Sequence, residues 1–205
     1  MTVFIRPATA DDVARIVEIV NGETGDEAVA LMGSPELARE YRRMLVEHEG
    51  IPNSERVTAV AQEDDRVVGV IQYRFGDRGA HGRLAHVRIL VSLVGPLGVV
   101  RRAPRLWARL RAQIHIPEDA LYLTLVHVET ASQGEGIGTG LLEWADREAN
   151  RLGARRLCLT TTLDNPALKL YERNGYDVTE TADDPVYARR LGVPGRVLME
   201  KQLVA

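Results

Sequence analysis

Four glycines at alternate positions, in QGEGIGTG at 133–140, stand between an apolar run and the helix-like LLEWADREA. Such a loop lets successive backbone N–H groups close around phosphate, and a helix starting there adds roughly half a positive charge. The phosphate could belong to three kinds of ligand. A nucleoside-triphosphate loop needs a lysine behind its last glycine to reach the β/γ-phosphates, and no Lys or Arg occurs between 133 and 145. A dinucleotide loop needs G-x-G-x-x-G after the opening strand of a βαβ unit. Here Gly134 and Gly136 would require a glycine where Thr139 stands, and the loop lies two-thirds of the way along the chain. What remains is a strand, a turn of free amides and a helix N-terminus, a site that holds a pyrophosphate without hydrolysing it. The alternative is a tight glycine turn with no ligand.

The bulk properties of the 205-residue chain narrow the surroundings of that chemistry. Net charge is 26 − 29 = −3, which gives no global pull toward nucleic acid. The longest apolar tract, ILVSLVGPLGVV at 89–100, is interrupted by Ser, Gly and Pro. It falls short of the ~20 residues that span a bilayer, so no integral membrane association is expected. The N-terminal MTVFIRPATADD reaches charge by Arg6 and reads as no signal peptide. The single Cys158, within the apolar RLCLTTT, excludes an internal disulfide and reads as a small core residue. A reducing compartment, the cytoplasm, is the expectation.

The elements that must position the loop are legible on either side of it. VFIRP (3–7) reads as a first strand, and Val13, Ile16, Val17 and Val20 mark one face of a helix ending at Asn21-Gly22. Ser34-Pro35 pairs an N-cap with a proline at the first helical position, which opens a helix to about Glu49. Between these helices, ETGDE (23–27) reads as a solvated acidic loop. VTAVAQ (57–62) and VVGVIQYRF (67–75), joined by EDDR, form a predicted hairpin. LYLTLVHVET (121–130) is the strand feeding the glycine loop, a helix follows over about 137–151, and RLCLTTT (156–162) is the next strand. Asn165-Pro166 repeats the cap-plus-proline start for a short helix ending at Asn174-Gly175. YDVTE, an irregular stretch at 181–195 and a last strand RVLMEKQL complete the chain. This order predicts one α/β (α+β) domain over 1–205, with a mixed sheet and helices on both faces.

The segment 77–118 does not fit that pattern. Forty-two residues between two strands exceed the usual connection, so the insert should be functional or structured. Pro104 opens a helix-like stretch in which Leu106, Trp107, Leu110 and Ile114 share a face, and the insert carries eight arginines. Three roles fit: an amphipathic cover or homodimer surface, an acceptor-site wall whose arginines recognise an acidic group, or loose attachment to anionic lipid through Trp107 and the arginines.

Two stretches together carry a resemblance. Gln133-Gly134-Glu135-Gly136-Ile137-Gly138 is similar to the Q/R-x-x-G-x-G/A signature of the GNAT superfamily of acetyl-CoA-dependent N-acetyltransferases. NPALKLYERNGY (165–176) resembles that family's Asn-x-x-Ala-x-x-x-Tyr-x-x-x-Gly-aromatic segment, at the right spacing. IRPATADDVARIVEIV and VVGVIQYR resemble its first strand–helix and central hairpin, so the similarity covers most of the chain except 77–118. The resemblance implies a mostly antiparallel central sheet and acetyl-CoA as acyl donor, with no metal. Residues 133–139 (Gln133, Gly134, Glu135, Gly136, Ile137, Gly138 and Thr139) would hold its pyrophosphate through backbone amides. Val128 would pair its backbone with the pantetheine arm, Asn165 would hydrogen-bond the coenzyme, and Tyr171 would serve as general acid near the sulfur. Glu135 departs from the pattern, for the family often has Lys or Arg there, so affinity must come from amides, the helix dipole and arginines elsewhere.

The implied reaction, acetyl transfer to a small-molecule or peptide amine, needs a neutral nucleophile, oxyanion stabilisation and a proton for the thiolate. A lysine-like amine is neutral about 0.04% of the time at pH 7, a handicap of about 4.6 kcal/mol, whereas an α-amine near 8 loses only about 1.4 kcal/mol. Where the family often places an acid on strand 121–130, this chain has Tyr122, followed by Thr124. His127 and Glu129 are the nearest titratable groups, on the opposite register unless a bulge re-aims one. A base at His127, ordered water, or an α-amine that needs little help all remain open. So do transfer of a longer acyl group and a CoA-binding regulatory module without turnover.

Overall fold

A computed structural model describes residues 3–22, 26–49, 51, 57–75 and 79–203. In chain order the elements are β1 (Val3–Pro7), α1 (Val13–Gly22), α2 (Asp26–Met32), α3 (Pro35–Glu49), β2 (Val57–Glu63), β3 (Arg66–Phe75) and α4 (Gly79–Arg111). They continue as β4 (Ala120–Val128), α5 (Ile137–Arg151), β5 (Arg156–Thr162), α6 (Leu168–Arg173), β6 (Asp177–Ala182), α7 (Pro185–Leu191) and β7 (Arg196–Gln202). The strands form one sheet in the order β1-β2-β3-β4-β5-β7-β6. Every neighbouring pair is antiparallel except β4–β5, which run parallel with α5 as their crossover. The fold is thus mixed α/β with a mostly antiparallel sheet.

Helices cover both faces because the strands bury residues on both. On one face α5 lays Ile137, Leu141, Leu142, Ala145 and Ala149 onto Ile71, Leu121, Leu123, Leu157 and Met199. On the other, α1 packs Ile16, Ile19 and Val20 against Val60 and Val70. The far end of that second face is closed by α7 and the residue that follows α4, through Tyr187, Leu191 and Ala112. Cys158 is fully buried, which pushes its thiol up to about 12.

Three expectations are corrected. The insert is helical from Gly79 to Arg111, broken at Gly95, where φ of 69° and ψ of 168° interrupt the helix before Pro96. Pro104 therefore lies inside the second half instead of opening it. Trp107 and Leu110 point to solvent, 54% and 62% exposed, while Ala108 and Ala112 form the buried line. The arginines 102 and 109 are anchored inward, which turns the large apolar groups out. Second, the stretch 181–195 contains α7, capped by Asp184, whose Oδ1 accepts the amides of Val186 and Tyr187 at 2.8 and 3.0 Å ahead of Pro185. Third, of the supposed acidic loop at 23–27, residues 23–25 lie outside the described residues, and the rest begins α2 with Glu27 turned inward.

Candidate active site

A local irregularity of β4 opens the sheet. Gln72 pairs with Leu125 and Tyr73 with Leu123, leaving Thr124 as an extra residue on β4. Such a bulge bends its strand and reverses which side later residues face. Leu121 and Leu123 point toward α5 before it; Val126 and Val128 do so after it. His127 consequently joins Tyr122 and Thr124 on the opposite face, the re-aiming that the sequence left open. Parallel pairing with β5 stops at Leu123–Leu159, so the edge of β4 from Thr124 to Val128 faces no strand on that side.

A groove of about 360 Å³ runs along this edge on the α5 side, lined by Val126, Val128, the glycine loop, Asn165, Tyr171 and Arg173. The first bond of α5 runs from Gly140 N–H to the Gly136 carbonyl at 3.0 Å. The amides of Ile137, Gly138 and Thr139 are left without a backbone acceptor, as a helix start requires. Gly136 reaches this geometry at φ 85°, a left-handed conformation that glycine adopts at little cost. A Cβ on Gly138 would lie 2.9 Å from Leu170 Cδ2, so this glycine lets α5 approach the α6 wall. Gln133 donates from Nε2 to the Val128 carbonyl at 3.3 Å, tying the loop to the strand end. These groups could hold a pyrophosphate at the helix start and an extended arm along the open edge.

The other residues named from the sequence fall as follows. Glu135 is exposed and does not line the groove. Asn165 Oδ1 accepts the Ala167 amide at 2.8 Å and its Nδ2 donates to Thr161 Oγ1 at 2.5 Å, which sets the turn into α6 and leaves one N–H and one lone pair for a ligand. Tyr171 is 6% exposed, with its ring edge-on to Tyr176 at 6.1 Å between centroids. Glu129 is clamped between Arg15 at 2.7 Å and Arg66 at 2.5 Å and lines none of the cavities described.

Through the fork between β4 and β5, at Asn165 and Pro166, the groove meets a second cavity of about 620 Å³ on the other face. His127 and Thr124 line this cavity and also an adjoining, more apolar one of about 300 Å³. His127 is half-buried there. Glu27, Arg42 and Arg196 complete the wall of the larger cavity, and Glu27 joins Arg196 at 2.7 Å and Arg109 of α4 at 2.6 Å. Sequence reading missed Glu27, Arg196 and Arg173 as site residues. An arginine inside the apolar GVPGRVLM was a signal for Arg196; Arg173 lies one turn beyond Tyr171's neighbours on α6 and carried none.

Among the described residues, no group of three or more His, Cys, Asp or Glu side chains could hold a metal, and no helix is long and apolar enough to cross a membrane. Comparison with curated protein sequences returns no match. Among solved structures, the chain is similar to the PaiA N-acetyltransferase of Thermoplasma acidophilum in complex with coenzyme A, at 16% identity and a TM-score of 0.60, covering 98% of this chain and 99% of that one. It is also similar to a GNAT-family acetyltransferase of Streptococcus pneumoniae (18%, TM-score 0.57, 99% and 100% covered) and to aminoglycoside 6'-acetyltransferase type Ii (16%, TM-score 0.59, 98% of each). At these identities the likeness establishes the fold. The model of the acetyltransferase (GNAT) family matches residues 25–176, most of the chain and both motifs: the chain belongs to the GNAT acetyltransferase family.

Proposed function

We propose that this protein is an acetyl-CoA-dependent N-acetyltransferase acting by direct transfer on a primary amine of a small molecule or peptide. The observation that carries the reading is the meeting, at one fork in the sheet, of a groove suited to the coenzyme and a separate cavity suited to an acceptor. Bound acetyl-CoA supplies an activated acyl group. The amides at 137–139 and the α5 dipole hold its pyrophosphate, Arg173 adds a nearby cation, and the β4 edge to Val128 aligns its arm. His127, on the acceptor side, takes the proton of the amine; Glu129, held by two arginines, is not its competitor. Tyr171, on the donor side, gives a proton to the departing sulfur. Direct transfer is favoured because the chain's one cysteine is buried with its thiol near 12, unsuited to carry an acyl group. The buried thiol also suits a cytoplasmic setting.

The test is thiol release from acetyl-CoA across a panel of amines, with binding followed by thermal shift. Amine-dependent release is the expected result. Stabilisation by CoA with no release on any amine would leave a CoA-binding module, and faster release from longer acyl-CoAs would change the donor. Stabilisation by ATP or NAD alone would overturn the assignment of the groove.

A further inference from the structure

The acceptor cavity has a recess that the reaction as described does not use. Arg109 of α4, Arg196 of β7, Thr160 of β5, Tyr122 of β4 and Arg74 of β3 surround a niche of about 180 Å³. One carboxylate, Glu27, serves two guanidinium groups there: Oε1 meets Arg109 Nε at 2.6 Å and Oε2 meets Arg196 Nη1 at 2.7 Å. Arg196 also donates from Nη2 to Thr160 Oγ1 at 3.0 Å, and that hydroxyl lies 2.7 Å from the Tyr122 hydroxyl. The Arg196 side chain is 10% exposed and that of Glu27 18%. Two cations on one anion, mostly out of water, leave a positive charge whose desolvation is not matched. Burial and the neighbouring Arg196 lower the Arg109 pKa, in keeping with that excess.

We propose that this niche binds a carboxylate carried by the acceptor amine, so that the acceptor is a compact amino acid with an apolar side group. The proposal rests on the acetyltransfer reading above. Thr160 and Arg196 line both the niche and the acceptor cavity, so the recess opens from the chamber that would hold the amine. Thr160 is the first β5 residue beyond the last β4–β5 pair, Leu123–Leu159. At roughly 3.3 Å per residue along a strand, the anion sits only a few bonds from the fork where transfer would occur. The coenzyme's own phosphates belong to the groove on the opposite face and do not satisfy this charge. At the other side of His127, Ile16, Val20, Leu45, Val46 and Leu125 line the apolar cavity, which would receive the hydrocarbon side group.

The experiment compares matched acceptors, leucine against leucinamide, which keeps the α-amine and the side group, loses the carboxylate charge, and is less basic, so amine basicity cannot produce a preference for leucine. Wild type should favour leucine by about 100-fold or more in kcat/KM, the discrimination expected when a buried charged donor loses its partner. Arg109→Gln should shrink that ratio at least about 10-fold. Binding of N-acetyl-leucine against N-acetyl-leucinamide, measured by calorimetry with CoA present, provides the same comparison without turnover. A preference for N-acetyl-leucine without turnover on any amine would sink the acetyltransferase reading and keep the anion site. Equal use and equal binding of both partners by wild type would overturn the site while leaving acetyltransfer standing. Stabilisation by inorganic phosphate, with no preference for the carboxylated partner, would mean that the niche takes a free ion, and would also overturn the proposal. The wild-type comparison needs no variant to fold.

Discussion

Tyr171→Phe separates the chemical role of the hydroxyl from the packing role of the ring. The ring is 6% exposed and lies edge-on to Tyr176 at 6.1 Å between centroids. Phenylalanine keeps that ring, its volume and its apolar contacts with the α5 face. Deleting a single hydroxyl should then change stability by about 1 kcal/mol or less. Tyr171→Ala, by contrast, would empty a core position and cost roughly 3–5 kcal/mol, so it could not tell chemistry from collapse. A positioned acid contributes typically 10²–10⁴-fold, and solvent can recover part of that loss. The expected fall in kcat for Tyr171→Phe is therefore about 10-fold or more, at least about 1.4 kcal/mol of barrier. CoA affinity, set by the amides at 137–139 and the β4 edge, should stay within about 2-fold, because no removed atom belongs to that contact set. The assay is steady-state thiol release at saturating acceptor, paired with calorimetric CoA binding and a urea unfolding midpoint. A kcat within about 2-fold of wild type would remove Tyr171 from the reaction; a fall in kcat tracking lost stability would make it a packing residue.

Four other perturbations follow from the same geometry. Asp12 accepts both terminal nitrogens of Arg6 at 2.8 Å and the Thr9 amide at 2.7 Å, which hold its carboxyl at about 2. Because the folded value is depressed, about 2 kcal/mol of stability is present above the unfolded carboxyl's ~3.9 and lost as pH falls toward 2. Asp12→Asn should lower the unfolding midpoint at pH 7 and converge with wild type at low pH; a gap independent of pH would refute the pairing. Glu135→Arg places a cation beside the exposed start of α5 and should tighten CoA by about 5-fold at low salt, fading by about 0.5 M; a gain that survives salt would point to a different cause. Glu129→Gln removes the carboxylate shared by Arg15 and Arg66, leaves Arg15 its second partner Glu18, and should cost about 1 kcal/mol of stability with kcat within about 2-fold of wild type. His127→Gln should lower kcat by about 100-fold or more at unchanged stability, and the reverse outcome for this pair would exchange their roles.

Short-range signals carried most of the architecture. Alternating apolar residues marked β2, β3, β4 and β5 to within a residue or two. Cap-plus-proline pairs marked α3 and the turn into α6; the same signal at Asp184-Pro185 was present and overlooked. The glycine spacing marked the α5 start because a left-handed turn and a close helix approach both require the absence of Cβ, a property of residue type. Other features depended on partners far away in the chain. The face on which His127 lies is decided by a bulge at Thr124, which exists only in the pairing of β4 with β3. The inward turn of Glu27 is decided by Arg196, 169 positions away, and by Arg109 on a helix whose buried side follows those charges. Periodicity speaks for a residue and its neighbours along one element. Register and ion pairing belong to elements brought together after the chain has closed, so only the assembled sheet could decide which titratable groups share the acceptor cavity.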